Sequence, residues 1–144
     1  MKDLTVIIVT FNSSAVIEKC LNAMDAKKYD VVVVDNESKD DTRKIVQTNF
    51  PKVKLINSGG NIGYGRSNNL ALRQAKTEFA LILNPDAVIA SEDIEASLQV
   101  FKDNPNIALA NPKIFAYEEQ LQKYKIDKKT KPFEKSGLQV VFYL

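Results

Sequence analysis

The feature that most constrains the fold of this chain is a run of four valines, at residues 31–34, that ends on the carboxylate of Asp35. The run has no polar alternation, so both of its faces should be covered, as they are in a parallel sheet. A second apolar run ends in a similar way on Asn84 and Asp86. Because open α/β sheets build ligand sites at the carboxyl ends of their strands, the two runs together predict a polar cleft at one sheet edge.

Strand and helix patterns alternate along the chain, which predicts right-handed βαβ units. The expected fold class is therefore α/β, with a mostly parallel open sheet flanked by helices on both faces. The predicted strands span residues 4–10, 31–35, 53–57, 79–84 and 107–114. The predicted helices span about residues 14–26, follow a capping-box pattern at 38–41, follow a glycine-rich segment at 59–65, and begin near Ser91 as a candidate N-cap.

The composition excludes several classes of catalytic site. The chain has 144 residues, one domain by the usual length prior, and its 44% of hydrophobic residues can form a sizeable core. It contains no histidine, which removes Ser-His-Asp and Cys-His catalysis, histidine zinc sites and histidine general bases. The single Cys20 rules out an intramolecular disulfide and fits a reducing compartment, and a net charge of +2 gives no global signature of nucleic-acid binding.

The expected location is the cytoplasm, with contact at the inner face of a membrane left open. The apolar run near the N-terminus is too short for a signal peptide, and no segment reaches the roughly 20 apolar residues of a membrane span. A lysine-rich stretch at residues 123–135 could meet anionic lipid headgroups, although a solvated tail explains the same composition.

Each polar group at a predicted strand tip has a structural and a functional interpretation. Asp35 can accept a hydrogen bond from a base or ribose, or it can turn the chain or cap a helix. Thr10 and Asn12 can form a wall of the same cleft, or Asn12 can cap the next helix. Asp86 can hold Mg²⁺ together with substrate phosphates, while the sequence Asn84-Pro85 also fits a common turn.

A glycine-rich segment, NIGYGRSNN at residues 61–69, is the third polar element. Its glycines permit positive φ and close backbone approach, and the segment enters a helix N-terminus suited to anions. It is not a Rossmann fingerprint, because Asn68 stands where the third glycine belongs, and it is not a P-loop. Arg66 could pair with a phosphate, or it could be a solvated surface arginine.

Taken together and in order, these motifs resemble those of family-2 glycosyltransferases with the GT-A fold, and two of them are most similar to the rhamnosyltransferase-like branch. The matching segments are VIIVTFN at 6–12, VVDNESKDDT at 33–42, NIGYGRSNN at 61–69 and LNPD at 83–86. The resemblance covers about residues 4–115. It implies transfer of a sugar from a UDP- or dTDP-linked donor to a glycan or lipid-linked acceptor, in cell wall or capsule polysaccharide biosynthesis, with inversion and a divalent metal.

The resemblance also implies which residues bind the donor. Those implied to contact the nucleotide sugar are Thr10, Asn12, Asp35, Asn61, Gly63, Gly65, Arg66 and Asn84. Asn84 and Asp86 occupy the place of the family's Asp-x-Asp element, so Asp86 would bind Mg²⁺ or Mn²⁺ on the diphosphate. Since Asn84 replaces the first aspartate, the site has one fewer negative charge than the family pattern.

A complete enzyme of this family extends well beyond 144 residues, so the chain is expected to be truncated. Residues 1–117 are expected to form the nucleotide-sugar-binding domain, and residues 118–144 an incomplete, lysine-rich part of the acceptor region. The catalytic base is expected to be absent. Glu118, Glu119, Asp127 and Glu134 are available, but none lies in the sequence context of the family's base.

Two other interpretations compete with that of a metal-dependent glycosyltransferase domain. The chain could bind nucleotide, or only a partner chain, without catalysis, and an exposed sheet edge would favour a homodimer. A nucleotidyltransferase would need a glycine- and basic-rich loop directly after the first strand, and residues 10–14 contain no glycine.

Overall fold

The computed structural model describes residues 2–110 and 141–143, which form one six-stranded sheet with four helices packed on it. The strands are β1 (Leu4–Thr10), β2 (Asp30–Asp35), β3 (Lys54–Asn57), β4 (Phe79–Leu83), β5 (Leu109–Ala110) and β6 (Val141–Tyr143). The helices are α1 (Ile17–Asn22), α2 (Thr42–Asn49), α3 (Tyr64–Leu72) and α4 (Ser91–Asp103). The lysine-rich stretch, the four candidate bases and the proposed boundary at residue 117 lie outside the described residues.

The sheet is parallel in the half that carries the predicted motifs. Its strand order is β3-β2-β1-β4-β6-β5, and β1 pairs in parallel with both β2 and β4. Only β6 runs antiparallel, between β4 and β5. Thr10 lies opposite Asp35, and Asp35 lies opposite Asn57, so the carboxyl ends of three strands are level with one another. This register brings the polar strand tips to one edge.

Helices cover both faces of the sheet, which confirms the predicted fold class. On one face, alternate residues of β1, β2 and β4 pack with buried residues of α1, α2 and α4. On the other face, Ile7, Val9, Val32 and Val34 pack against Ala71 of α3. The four valines of β2 are all buried, because the strand has a helical layer on each side.

Several predicted boundaries differ from the structure at the helix ends. The first helix is α1, much shorter than residues 14–26, and it is capped by the carbonyl of Ser13 instead of a side chain. Ser38 does not open α2, which begins at Thr42; the hydroxyl of Ser38 instead accepts the Asn12 N–H at 2.9 Å. Ser91 is the first residue of α4, and its hydroxyl accepts the Asp25 N–H at 3.0 Å.

The fifth strand also differs from the prediction. The described part of the predicted strand 107–114 contributes only Leu109–Ala110, which pairs with β6. β6 (Val141–Tyr143) lies between β4 and β5 in the sheet. Because β6 is only three residues long and lies far from β4 and β5 in the sequence, its pairing with them could not be predicted from local sequence patterns.

The core of α4 provides a test of the packing. Ile94 is completely buried, whereas Val100 on the same helix is 47% exposed. Replacing Ile94 with alanine should lower the free energy of unfolding by about 2–5 kcal/mol, because it removes buried methyl groups and leaves a cavity. Val100→Ala, the matched control, should change it by less than about 0.5 kcal/mol. Equal losses in urea-induced unfolding would contradict this packing.

Candidate functional site

A cavity of about 460 Å³, lined by both apolar and polar side chains, lies at the carboxyl edge of β1, β2 and β4. Its wall is formed by the loop after β1, the residue after β2, the start of α3 and the loop after β4. The lining residues are Val9, Phe11, Asn12, Ser13, Val16, Asn36, Tyr64, Asn84, Pro85 and Asp86. Of the predicted site residues, the structure therefore brings Asn12, Asn84 and Asp86 together around one space. This is the position at which open α/β sheets bind ligands.

Asp35 lies beneath the cavity and does not line it. Its side chain is completely buried, and it accepts hydrogen bonds from the Thr10 hydroxyl at 3.2 Å and the Ser38 N–H at 3.1 Å. The Arg43 Nε lies 3.9 Å from the same carboxylate. Both carboxylate oxygens thus join β1 to the segment after β2. In the structure Asp35 and Thr10 support the cavity from below, and their predicted contact with a nucleoside stays a prediction.

Asn12 is held at the cavity in a left-handed conformation. Its φ is +50°, a value that asparagine tolerates better than most residues. The Asn12 N–H donates to Ser38, and its side-chain oxygen accepts the Lys39 N–H at 2.8 Å. The turn after β1 is therefore fastened to the turn after β2. Ser38 lies three residues before Asp41, the N-cap of α2, and so does not cap that helix.

Asn36 organises the glycine-rich segment, and sequence reasoning missed it. It is buried, and its side-chain NH₂ donates to the Asn61 side-chain oxygen at 2.8 Å. Its own side-chain oxygen accepts from the Ile62 N–H at 3.0 Å and the Ser67 hydroxyl at 3.1 Å. Asn61 thus reaches the site through Asn36. The available sequence signal was the position of Asn36 directly after a predicted strand-tip carboxylate.

The two glycines of this segment, Gly63 and Gly65, differ in backbone conformation. Gly63, the residue before α3, has a φ of +86°, which a residue with a Cβ rarely adopts. Gly65 lies inside α3, its φ is not positive, and an added Cβ would meet open space. The expected conformational requirement is therefore wrong for Gly65. Arg66 is exposed on α3 and is not one of the residues that line the cavity.

The loop after β4 is held by contacts from two helices. The Tyr64 hydroxyl, at the start of α3, donates to the Asn84 side-chain oxygen at 2.9 Å. From below, the Cys20 thiol of α1 donates to the Asn84 backbone carbonyl at 3.6 Å. Asp86, two residues on, is exposed at the cavity wall. Tyr64 is a second cavity residue that sequence reasoning did not single out.

The cavity offers one carboxylate to a cation. Among the described residues no group of three or more His, Cys, Asp or Glu side chains is placed to hold a metal ion. A single aspartate suits Mg²⁺ or Mn²⁺ only when substrate phosphates supply further oxygens. The residues present therefore fit a cation that arrives with a diphosphate and do not fit a preformed metal site.

The negative charge of Asp86 also affects the Cys20 thiol of α1. Burial and, secondarily, the negative charge of Asp86 raise the pKa of the Cys20 thiol to about 12. Cys20 is completely buried among the apolar residues of α1 and the sheet. It is therefore a core residue.

Cys20 should therefore resist alkylation in the folded protein. The thiolate is the nucleophile, and at pH 8 a pKa of about 12 leaves roughly one thiol in ten thousand ionised. We expect no iodoacetamide adduct at pH 8 in buffer and complete modification in urea, where the pKa returns to its ordinary value. Raising the pH to 9 should accelerate the unfolded reaction about threefold, whereas the folded protein should stay unmodified because the thiol is completely buried. Mass spectrometry gives the readout, and Cys20→Ser is the control; equal rates in both states would contradict the buried thiol.

The open, mostly parallel sheet with a cavity at its carboxyl edge defines an α/β protein, and comparison with known proteins gives the family. Residues 5–143 match Glycosyl transferase family 2, and the chain belongs to that family. The family predicted from the motifs is thereby confirmed. None of the helices among residues 2–110 is long and apolar enough to cross a membrane.

Two curated relatives illustrate the similarity. The low-salt glycan biosynthesis hexosyltransferase of Haloferax volcanii is 32% identical over 122 residues, which cover 82% of this chain and 38% of that protein. The poly(ribitol-phosphate) beta-N-acetylglucosaminyltransferase TarS of Staphylococcus aureus is 35% identical over 106 residues, which cover 66% of this chain and 18% of TarS. The chain thus spans less than two fifths of the length of either relative.

Solved structures agree with the fold. The structure of S. aureus TarS in complex with UDP-GlcNAc is 30% identical, with a TM-score of 0.69 over 82% of this chain and 36% of that one. A mannosyltransferase from Pyrobaculum calidifontis in complex with GDP-Man and Mn²⁺ is 28% identical, with a TM-score of 0.67 over 78% of this chain and 36% of that one. These likenesses confirm the predicted GT-A type of fold.

Proposed function

We propose that this chain is the donor-binding part of a glycosyltransferase that uses a UDP- or dTDP-linked sugar together with Mg²⁺ or Mn²⁺. The observation that carries the proposal is the charge of the cavity. Its described lining includes one carboxylate, Asp86, and neither lysine nor arginine. A diphosphate carries at least two negative charges, so a divalent cation is needed to neutralise it in such a site.

Each part of the cavity suits one part of such a donor. The Asn12 amide supplies a hydrogen-bonding group for a base or ribose at the tip of β1, and Asn36 at the tip of β2 holds the glycine-rich segment beside it. Asn84 and Asp86 lie on the β4 side, where Asp86 would hold the cation through its carboxylate. The cation would stabilise the charge that develops on the departing nucleoside diphosphate. The similarity to proteins solved with UDP-GlcNAc, or with GDP-Man and Mn²⁺, supports this assignment.

For the longer protein we propose inverting transfer to a glycan or lipid-linked acceptor. Inversion and the acceptor class follow from family resemblance. Deprotonation of the acceptor hydroxyl requires a base within hydrogen-bond reach. Asp86, the one carboxylate in the described cavity wall, is assigned to the cation, so we place the base outside residues 2–110.

Donor binding should stabilise the chain, and part of the effect should require metal. A nucleoside diphosphate at about 100 times its dissociation constant adds roughly 2.7 kcal/mol to the free energy of unfolding. We expect UDP or dTDP with Mn²⁺ to raise the melting temperature by several degrees, and Mn²⁺ alone to leave it unchanged. Asp86→Ala should abolish the part of the increase that requires Mn²⁺.

The matched control for this experiment is Asp103→Ala, which removes an exposed carboxylate at the end of α4, away from the cavity lining. It should leave the increase caused by UDP and Mn²⁺ intact. The absence of a shift with any nucleotide would contradict donor binding. An equal loss in both variants would contradict the role given to Asp86.

The isolated chain is proposed to bind the donor without transferring its sugar. This second possibility is favoured by the cavity itself, in which the described residues leave no carboxylate for the base once Asp86 holds the cation. Incubation with a UDP-sugar, Mn²⁺ and candidate acceptors should release no UDP above background, as measured by a coupled assay. Release of UDP that disappears in Asp86→Ala would show that this chain is catalytic by itself.

A further inference from the structure

The hydrogen bond from Tyr64 to Asn84 joins two walls of the cavity. Tyr64 is the first residue of α3, and Asn84 follows β4, so the two residues belong to elements far apart in the chain. The phenol oxygen and the Asn84 side-chain oxygen are 2.9 Å apart, and both residues line the cavity. Tyr64 is 38% exposed, and its hydrogen bond to Asn84 is also exposed to solvent.

The chemistry of this contact fixes its direction. An amide oxygen has lone pairs and no proton, so the phenol must be the donor. Once its oxygen is held, the plane of the Asn84 amide is fixed, and its NH₂ corner is determined as well. An NH₂ group donates to phosphate or hydroxyl oxygens and has no lone pair for a metal ion. Within the asparagine side chain the amide oxygen is the only atom that can bind a metal ion, and Tyr64 uses one of its two lone pairs.

We propose that Tyr64 is a positioning residue for donor binding that acts through Asn84. It holds the amide so that the NH₂ group donates to the ribose or diphosphate, and it leaves the cation to Asp86. The inference rests on the proposed donor site and assigns separate tasks to the two polar residues of that loop. Tyr64 thereby supports the part of the affinity that does not require metal, and Asp86 supports the part that does.

The consequence is a different metal dependence for two variants. Tyr64→Phe keeps the ring and removes the donor, so it should weaken UDP binding about three- to tenfold. The factor should be the same with Mn²⁺ and with EDTA, because the lost interaction does not involve the cation. Asp86→Ala should weaken binding with Mn²⁺ and have little effect in EDTA. Isothermal titration calorimetry with UDP measures all four dissociation constants.

A double-mutant cycle tests whether Tyr64 acts through Asn84. In an Asn84→Ala background, Tyr64→Phe should cause no further loss of UDP affinity, since the group that it positions is gone. The matched control is Tyr29→Phe, which removes a phenol bonded to Glu95 at 2.8 Å, outside this cavity. That variant should leave UDP affinity unchanged in both backgrounds.

A measurement without ligand separates this inference from the proposed function. The side-chain amide resonances of Asn84 should shift in Tyr64→Phe and stay in place in Tyr29→Phe. Unshifted resonances would overturn the contact. If the resonances shift but Tyr64→Phe weakens UDP binding as much in the Asn84→Ala background as in the wild type, the positioning role is wrong. It is also wrong if Tyr64→Phe weakens UDP binding only when Mn²⁺ is present. Failure of the wild-type chain to bind UDP would overturn the donor site itself, and with it the role of Tyr64 in donor binding.

Discussion

The buried carboxylate of Asp35 is the constraint on which the architecture of the cavity depends. A fully buried negative charge is costly unless its oxygens are hydrogen-bonded. The partners that satisfy it are Thr10 at the end of β1 and the backbone of Ser38 beyond β2, with Arg43 close by. Ser38 in turn fixes Asn12. The Asp35 carboxylate therefore joins the segments that follow β1 and β2. Both of these segments contribute residues to the cavity wall.

The glycine-rich segment is attached to the same junction by the side chains of Asn36 and Glu37. Asn36 follows Asp35 and uses its side-chain amide to bind residues on both sides of Gly63, through Ile62 and Ser67. Glu37, with a φ of +75°, accepts the Asn61 N–H at 3.2 Å. Lys39, together with that N–H, lowers the pKa of Glu37 below its ordinary value. Residues 36–38, directly after β2, thus bind both the turn after β1 and the glycine-rich segment. Their contacts with the glycine-rich segment position the start of α3.

The existence of the helices and strands was easier to predict from the sequence than the residues at which they begin and end. The valine run of β2 and the apolar run of β4 were recognisable because burial on both faces leaves a continuous apolar pattern. The polar strand tips were also recognisable, since parallel strands end at one edge. The helix caps could not be recognised in the sequence, because the hydroxyls of Ser38 and Ser91 accept hydrogen bonds from the distant backbone N–H groups of Asn12 and Asp25. Whether a serine caps its own helix depends on what the fold brings near it.

The same limit applies to the site. Asn12, Asn84 and Asp86 were predicted as cavity residues, since each lies directly after an apolar strand. Asn36 and Tyr64 were missed, since their importance lies in partners that are 25 and 20 positions away in the chain. The reason given for Gly65 was wrong because a glycine motif does not show which of its members adopts a positive φ.

The sheet itself shows how the donor site relates to the rest of the protein. β1 is hydrogen-bonded to β2 on one side and to β4 on the other, and the described residues that line the cavity lie between positions 9 and 86. β5, in contrast, is joined to the sheet through β6, which comes from residues 141–143. The side beyond β4 is thus completed by chain from the predicted acceptor part, and the division proposed at residue 117 stays a prediction. Because β4 carries Asn84 and Asp86 at its end, the strand that adjoins the later part of the chain also carries the proposed cation-binding loop.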